Sequence, residues 1–288
     1  MPSARTGGRG EAFWARMKSK DVVKLAISVA WICGSGAARV LSRLAGRRSD
    51  PRLVVLYYHG VPATARTTFA RQMAALTRRA TVVPAAHRGP LPHRSCVAIT
   101  FDDAFRSVYD YAIPELRSRS LPATVFVPVD FVGRPSGWVS ESHGASGAEH
   151  VMTVEELRSL PSLVEVGSHT LTHPHLRMLD DATLRTELYE SRLRLGELVG
   201  SSVSLLAFPY GEHDARVVQA CREAGYERVF AVEPRHADAS GRDFVHGRVS
   251  VDPHDGPLAF YLKAHGAYAW MTYASALKRR ILRRGISR

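Results

Sequence analysis

Apolar and polar positions follow two different rhythms along this chain. Short runs rich in β-branched and aromatic residues recur at 53–60 (LVVLYYHG), 96–101 (CVAITF), 123–128 (ATVFVP), 163–169 (LVEVGSH), 203–211 (VSLLAFPYG), 227–233 (ERVFAVE) and 242–251 (RDFVHGRVSV), and each reads as a strand. Between them the apolar positions take helical spacing. This predicts helices over 69–80, over 107–119 with Pro114 as an interruption, over 180–200, and over 214–225 with Gly225 as the stop. A Thr-x-x-Glu pair at Thr153 and Glu156 predicts a capped helix start, and a last helix is expected to begin near Pro257 and run toward the tail. Residues 81–84 read as a short strand, and 85–95 and 130–150 as irregular loops.

Strand and helix thus alternate about seven times without an internal repeat. Such alternation implies an α/β fold, a parallel sheet with helical crossovers that is either open or closed into a barrel. In these folds reactive groups collect at the C-terminal ends of the strands. Four predicted strands end that way: in His59, in Asp102-Asp103, in His169, and in Pro209-Tyr210-Gly211.

Charge changes the picture at the two ends. The formal net charge is +12, carried as +7 by residues 1–50 and +7 by residues 263–288, with −2 on residues 51–262. Three regions follow: a basic N-terminal segment over 1–50, a body over 51–256, and a C-terminal helix with a basic tail over 257–288. The RRSDP stretch at 47–51 marks the first boundary. Basic ends around a near-neutral body suit an anionic membrane surface better than nucleic acid, which is not expected as a partner. They also suit plain solubility. Residues 25–38 carry no charge but are shorter than the roughly 20 apolar residues of a spanning helix. The 22–41 stretch therefore reads as an interfacial helix, with an uncleaved anchor or signal and ordinary helix packing as the alternatives. Cys33, Cys96 and Cys221 lie far apart with no CxxC, so no disulfide framework or thiolate metal site is expected, and all three read as buried small apolar residues.

The candidate chemistry lies in the strand ends. Asp102 and Asp103 point in different directions on extended chain, so one can ligate a metal while the other takes a proton from water; an Asp pair capping the next helix is the plainer alternative. His169 and His173 are four apart, a spacing that on one helical turn places both on one face. Two imidazoles and a carboxylate suit zinc, iron, cobalt or nickel. No G-x-S-x-G elbow suggests a serine nucleophile.

The set Thr100-Phe101-Asp102-Asp103, then Ser168-His169 and His173-Pro174, then Phe208-Pro209-Tyr210-Gly211 resembles the polysaccharide deacetylase (NodB-homology) family over roughly residues 52–252. The resemblance implies an irregular (β/α) barrel of about seven parallel strands. It implies Asp102 as catalytic base, Asp103, His169 and His173 as the ligands of one divalent metal, zinc ahead of cobalt, nickel or iron, and the Tyr210 backbone N–H as an oxyanion donor. Two positions depart from the family pattern. Ala207 stands where an arginine usually braces the base, and Ala104 stands where glycine is common. A late Leu-x-His, the usual source of the general acid, is also missing. The Tyr58-His59 ending of the first strand resembles the branch containing poly-N-acetylglucosamine deacetylases, where an early Tyr-His supplies the acid, so His59 is the expected acid and His246 the runner-up. The implied activity is hydrolysis of acetyl groups on a polysaccharide or glycan, N-acetyl groups of N-acetylhexosamine units first, in the cell envelope or at the membrane surface of a bacterium. An O-acetyl esterase and a glycan-binding protein impaired by the loss of the brace are the alternatives. Trp138 is a candidate sugar-stacking residue or ordinary packing.

Overall fold

The computed structural model describes residues 19–44, 51–138, 149–237 and 243–285. The chain divides into two compact units, residues 1–49 and 50–288. The first contributes helix α1 (Ser19–Leu44), which extends the expected 22–41 stretch at both ends. Among the described residues no helix is long and apolar enough to cross a membrane. Most of the RRSDP boundary, like residues 1–18 and 286–288, lies outside the described residues.

The second unit is built around one parallel sheet. Its strands are β1 (Arg52–Tyr58), β2 (Thr81–Val82), β3 (Ser95–Phe101), β4 (Ala123–Val127), β5 (Val164–Ser168), β6 (Leu205–Ala207), β7 (Arg228–Phe230), β8 (Val245–His246) and β9 (Val249–Ser250). The pairing order is β8-β7-β6-β5-β4-β3-β1-β9, and β2 pairs with the start of β3. The two strands at the ends of this path are halves of a single stretch, 245–250. Its first half pairs with β7 and its second with β1, so a few residues of chain close the ring. Counted this way the ring has the seven strands expected for an irregular (β/α) barrel.

The helices are α2 (Arg66–Arg79), α3 (Ile113–Ser118), α4 (Val154–Arg158), α5 (Asp181–Val199), α6 (Ala215–Glu223), α7 (Pro257–Ala264) and α8 (Trp270–Gly285). Local chemistry explains several of their ends. Thr153 and Glu156 form the expected capping box reciprocally, satisfying two backbone donors of α4. Asp180 caps α5, and Gly200 ends it in the left-handed conformation that glycine adopts without steric cost. Pro114 sits in the first turn of α3, after a π-helical turn at 108–112, where its missing N–H is harmless. The single helix expected from Pro257 onward is instead two, because Gly266 takes φ 69° and breaks it.

Two apolar layers result from the strand alternation. Leu53, Val55, Ala98, Phe126, Leu205, Ala207 and Phe230 form the layer inside the ring. Their neighbours one position along, such as Leu56, Tyr58, Ile99 and Val125, pack outward against helix residues including Phe69, Met73, Leu184 and Leu188. Inside, Phe126 tilts against Phe230 with ring centroids 5.4 Å apart. Gly167 makes this possible: a Cβ there would lie 2.6 Å from the Phe126 ring. Cys96 and Cys221 are buried as expected, but Cys33 is exposed, because its place on α1 turns it outward.

Candidate active site

The four reactive strand ends meet at one end of the ring. Asp102 and Asp103 follow β3 directly, His169 follows β5, and Tyr210 sits in a one-turn 3-10 segment after β6. Asp103, His169 and His173 each bring one ligand atom to a common point, all within 4.8 Å of one another and all buried. Asp103 Oδ1 is 3.6 Å from His169 Nε2 and 3.5 Å from His173 Nε2.

The two histidines do not share a helix turn. Thr170 and His173 have φ of 70° and 58°, so residues 169–173 form a turn that brings the rings together by left-handed steps. Glu187, buried on α5, anchors that turn. Its carboxylate accepts the Leu171 and Thr172 amides at 2.9 and 3.1 Å and the Thr172 hydroxyl. The Thr170 hydroxyl accepts the His173 amide. Asp103, Ala104 and Tyr210 also have positive φ, so five of the six such non-glycine residues among those described surround this site. Strain of this kind, about 1–3 kcal/mol per residue, persists only where surrounding contacts hold it. Ala104 at φ 50° explains why glycine is the easier residue there.

Hydrogen bonds orient the ligand atoms. His169 Nδ1 lies 2.8 Å from the Ala207 carbonyl, which can only accept, so Nδ1 carries the proton and the Nε2 lone pair faces Asp103. Trp138 Nε1 donates to Asp103 Oδ1 at 3.1 Å, and its ring stacks on His173 with centroids 4.3 Å apart. The loop tryptophan is thus a wall of this site; residues 139–148 of the expected 130–150 loop lie outside those described.

Burial raises the Asp103 carboxyl well above its ordinary range, and the neighbouring charge of Asp102 raises it further. Burial depresses His169, and it depresses His173 to about 2, with the His169 charge adding to the effect. Both imidazoles are therefore neutral donors. Two imidazole nitrogens and a carboxylate are a donor set that suits a divalent ion, whose charge would offset the burial that raises Asp103. The residues fit one such ion.

Arg248, which sequence reasoning missed, lies in the gap between β8 and β9. It is completely buried and grips Asp102 with both terminal nitrogens, at 2.6 and 2.8 Å. Its Nε donates to the Ala231 carbonyl, and its guanidinium lies 4.6 Å from the Tyr57 ring centroid. Burial alone would raise the Asp102 carboxyl, but Arg248 above all, with His169 and His59, outweighs it and holds Asp102 below the ordinary carboxylate range. The brace absent at Ala207 therefore comes from the other side of the ring. A sequence signal existed: an arginine inside an otherwise apolar strand requires a partner.

His59, half-buried at the end of β1, is close enough for its charge to act on both Asp102 and His173. His246 lies elsewhere. It packs beside Phe230, with Arg228, Asp243 and Arg235 as its charged neighbours, and burial depresses it to about 4. Tyr210, 46% exposed, meets His173 edge-on and carries a stacked His175 on its ring, which in turn bonds Glu212 at 3.0 Å. His175 is thus outside the ligand set.

A parallel α/β ring with a buried His-His-Asp cluster beside a braced carboxylate defines a barrel fold with a metal-type site. A family profile for polysaccharide deacetylases matches residues 91–229. The chain is 25% identical over 178 residues to YxkH of Bacillus subtilis, which carries a polysaccharide deacetylase name, covering 62% of this chain and 57% of that protein. It is 26% identical over 193 residues to the poly-beta-1,6-N-acetyl-D-glucosamine N-deacetylase of Escherichia coli K12, covering 56% of this chain and 28% of that protein. The solved structure of IcaB from Ammonifex degensii superposes with a TM-score of 0.60 at 26% identity, covering 77% of this chain and 99% of that one. Over residues 91–229 the chain is similar to the polysaccharide deacetylase family. It spans little more than half of YxkH and less than a third of the Escherichia coli enzyme.

Proposed function

We propose that this protein hydrolyses acetyl groups on a bacterial polysaccharide, N-acetyl groups of N-acetylhexosamine units, with one divalent ion, zinc ahead of cobalt, nickel or iron, at Asp103, His169 and His173. The observation that carries this reading is the pairing of that donor set with an ionised, Arg248-braced Asp102 at the same strand ends. The likeness to poly-N-acetylglucosamine deacetylases supports the choice of substrate.

When bound, the ion supplies Lewis acidity toward the acetyl carbonyl and acidifies water. Asp102, kept as carboxylate by Arg248, accepts the proton of the attacking water. In the turn after β6, the Gly211 and Glu212 amides bond back to Phe208 and Pro209, and the Tyr210 N–H is the donor offered to the oxyanion. His59 protonates the departing sugar nitrogen, releasing acetate and a free amine. Arg248 also removes the ground for reading the chain as an impaired glycan-binding protein, since the base keeps its counter-ion. The +7 at each end, with an α1 that exposes Val23, Ile27, Trp31 and Leu41, supports attachment to an anionic membrane surface in the cell envelope.

The test is acetate release by the full-length, zinc-loaded protein from N-acetylated and O-acetylated glycans. Release from a poly-N-acetylglucosamine oligomer is the expected result. Release from O-acetylated glycans alone favours the esterase reading, and none from either overturns the proposal.

A further inference from the structure

Outside the catalytic site, α2 and α7 lie side by side on the outer wall and enclose a groove of about 340 Å³. This is within the range of sites that take small ligands. Its walls are apolar: Ala75 and Leu76 on α2, Phe260 and Ala264 on α7. Its rim is cationic: Arg71, Arg78 and Arg79 line it, and all three are exposed.

Among the described residues, no carboxylate pairs with any of these three. Arg71 donates to the Thr67 carbonyl of its own helix, and Arg79 lies over the Tyr261 ring at 5.2 Å. The one acid lining the groove, Asp255, is already taken by Lys263 at 2.6 Å and by the Asp252 amide. An apolar slot with uncompensated guanidinium groups along its rim matches a molecule with one hydrocarbon chain and one anionic head.

Topology fixes which way the groove runs. Helix α2 leaves from the end of β1, the catalytic end, and finishes at Arg79 beside β2, which pairs with the start of β3. Arg78 and Arg79 therefore stand at the opposite end of the ring from Asp102 and His173. Helix α8 follows α7 from that same end. It exposes Tyr273 and Leu277, and its sequence continues Lys278, Arg279, Arg280, Arg283 and Arg284 without an acid.

We infer that the α2–α7 groove takes an acyl chain of an anionic phospholipid, with its phosphate held by Arg78 and Arg79. One acyl chain alone gives only marginal attachment, and stable attachment takes a second signal, which the basic sequence of α8 supplies. A lipid held there turns the strand starts toward the bilayer and the catalytic end away from it, toward polymer. This inference rests on membrane attachment proposed above and adds a site to it.

The probe is phosphatidylglycerol bearing a diazirine in its acyl chain, in phosphatidylcholine vesicles, with the full-length protein. Crosslinks are mapped by peptide mass spectrometry. The expected result is crosslinking within residues 68–80 and 257–265. Ala75→Phe, which fills the groove without altering charge, should reduce it roughly tenfold, as should Arg78→Glu with Arg79→Glu, whose charge reversal removes the surface attraction. Deacetylation of a soluble oligosaccharide by Ala75→Phe should match the parent, showing that the barrel is folded. Vesicle binding with crosslinks confined to α1 or α8, or unchanged by Ala75→Phe, overturns the groove and leaves membrane attachment standing. Failure of the full-length protein to bind anionic vesicles at all overturns both.

Discussion

Arg248, between β8 and β9, and Asp102, directly after β3, meet through two hydrogen bonds of 2.6 and 2.8 Å, both side chains buried. A parallel fork of this kind fixes a carboxylate in plane as well as in charge. Arg248→Ala should lower kcat/KM about 10²-fold through misplacement of the base. It should also cost about 3–5 kcal/mol, because Asp102 is left as a buried unpaired charge. Arg248→Lys keeps the charge but loses the fork, so it should recover most of the stability and less of the activity. Steady-state kinetics with denaturant unfolding separates the two. Wild-type kinetics in Arg248→Ala would remove the residue from the active site.

Metal content separates the adjacent aspartates. Asp103→Ala, His169→Ala and His173→Ala should each lose divalent metal, measured by elemental analysis of the purified variants. Asp102→Asn should keep metal and lose about 10²–10⁴-fold in kcat. Trp138→Phe keeps the stack on His173 but removes the hydrogen bond to Asp103, and should weaken metal binding about tenfold. Full metal in all three ligand variants would sink the assignment.

The general acid is testable by changing the leaving group. A sugar amine leaves poorly unless protonated, whereas a phenolate leaves readily. His59→Ala should therefore lower kcat/KM on an N-acetyl glycan far more than on an aryl acetate. His246→Ala should leave the ratio of the two unchanged. The reverse pattern would move the acid to the last strand.

His246 instead predicts an acid limb in stability. Its folded pKa is depressed by burial to about 4, against 6.5 for the free side chain, and it is 1% exposed. Between these values the unfolded chain takes up a proton that the folded chain refuses. The contribution is thus full above pH 6.5 and lost as pH falls toward 4. The loss reaches about 2 kcal/mol by pH 5. His246→Leu should flatten that part of the curve, read as the difference between parent and variant in denaturant unfolding at pH 7 and pH 5. Parallel curves would show that His246 protonates freely in the folded state.

The ring and the convergence of Asp103 with the histidines were legible because their signals are local. A buried strand followed at once by Asp102-Asp103, or by His169, places its side chains at a known end of the fold whatever the details of packing. The geometry of 169–173 was not legible: HxxxH suggests a helix, and the left-handed steps at Thr170 and His173 depend on Glu187, which follows His173 only after a loop and the start of α5. Nor could spacing show that the counter-ion of Asp102 comes from residue 248. That contact exists because the ring brings its last strand beside its first, which no local pattern encodes. The single helix expected from Pro257 toward the tail failed for a smaller reason, a single Gly266 whose stop signal is weak amid good helix formers.

The closing segment 245–250 has a further consequence, for the order in which the protein becomes functional. Synthesis proceeds from β1 onward, so Asp102, Asp103, His169 and His173 emerge well before Arg248. Until that segment is seated, β7 and β1 present open edges and the carboxylate of Asp102 faces the interior with no cation beside it. On the proposed reading, the same few residues that complete the barrel also give Asp102 its counter-ion, so a chain interrupted before them would hold the candidate base and metal ligands without the brace.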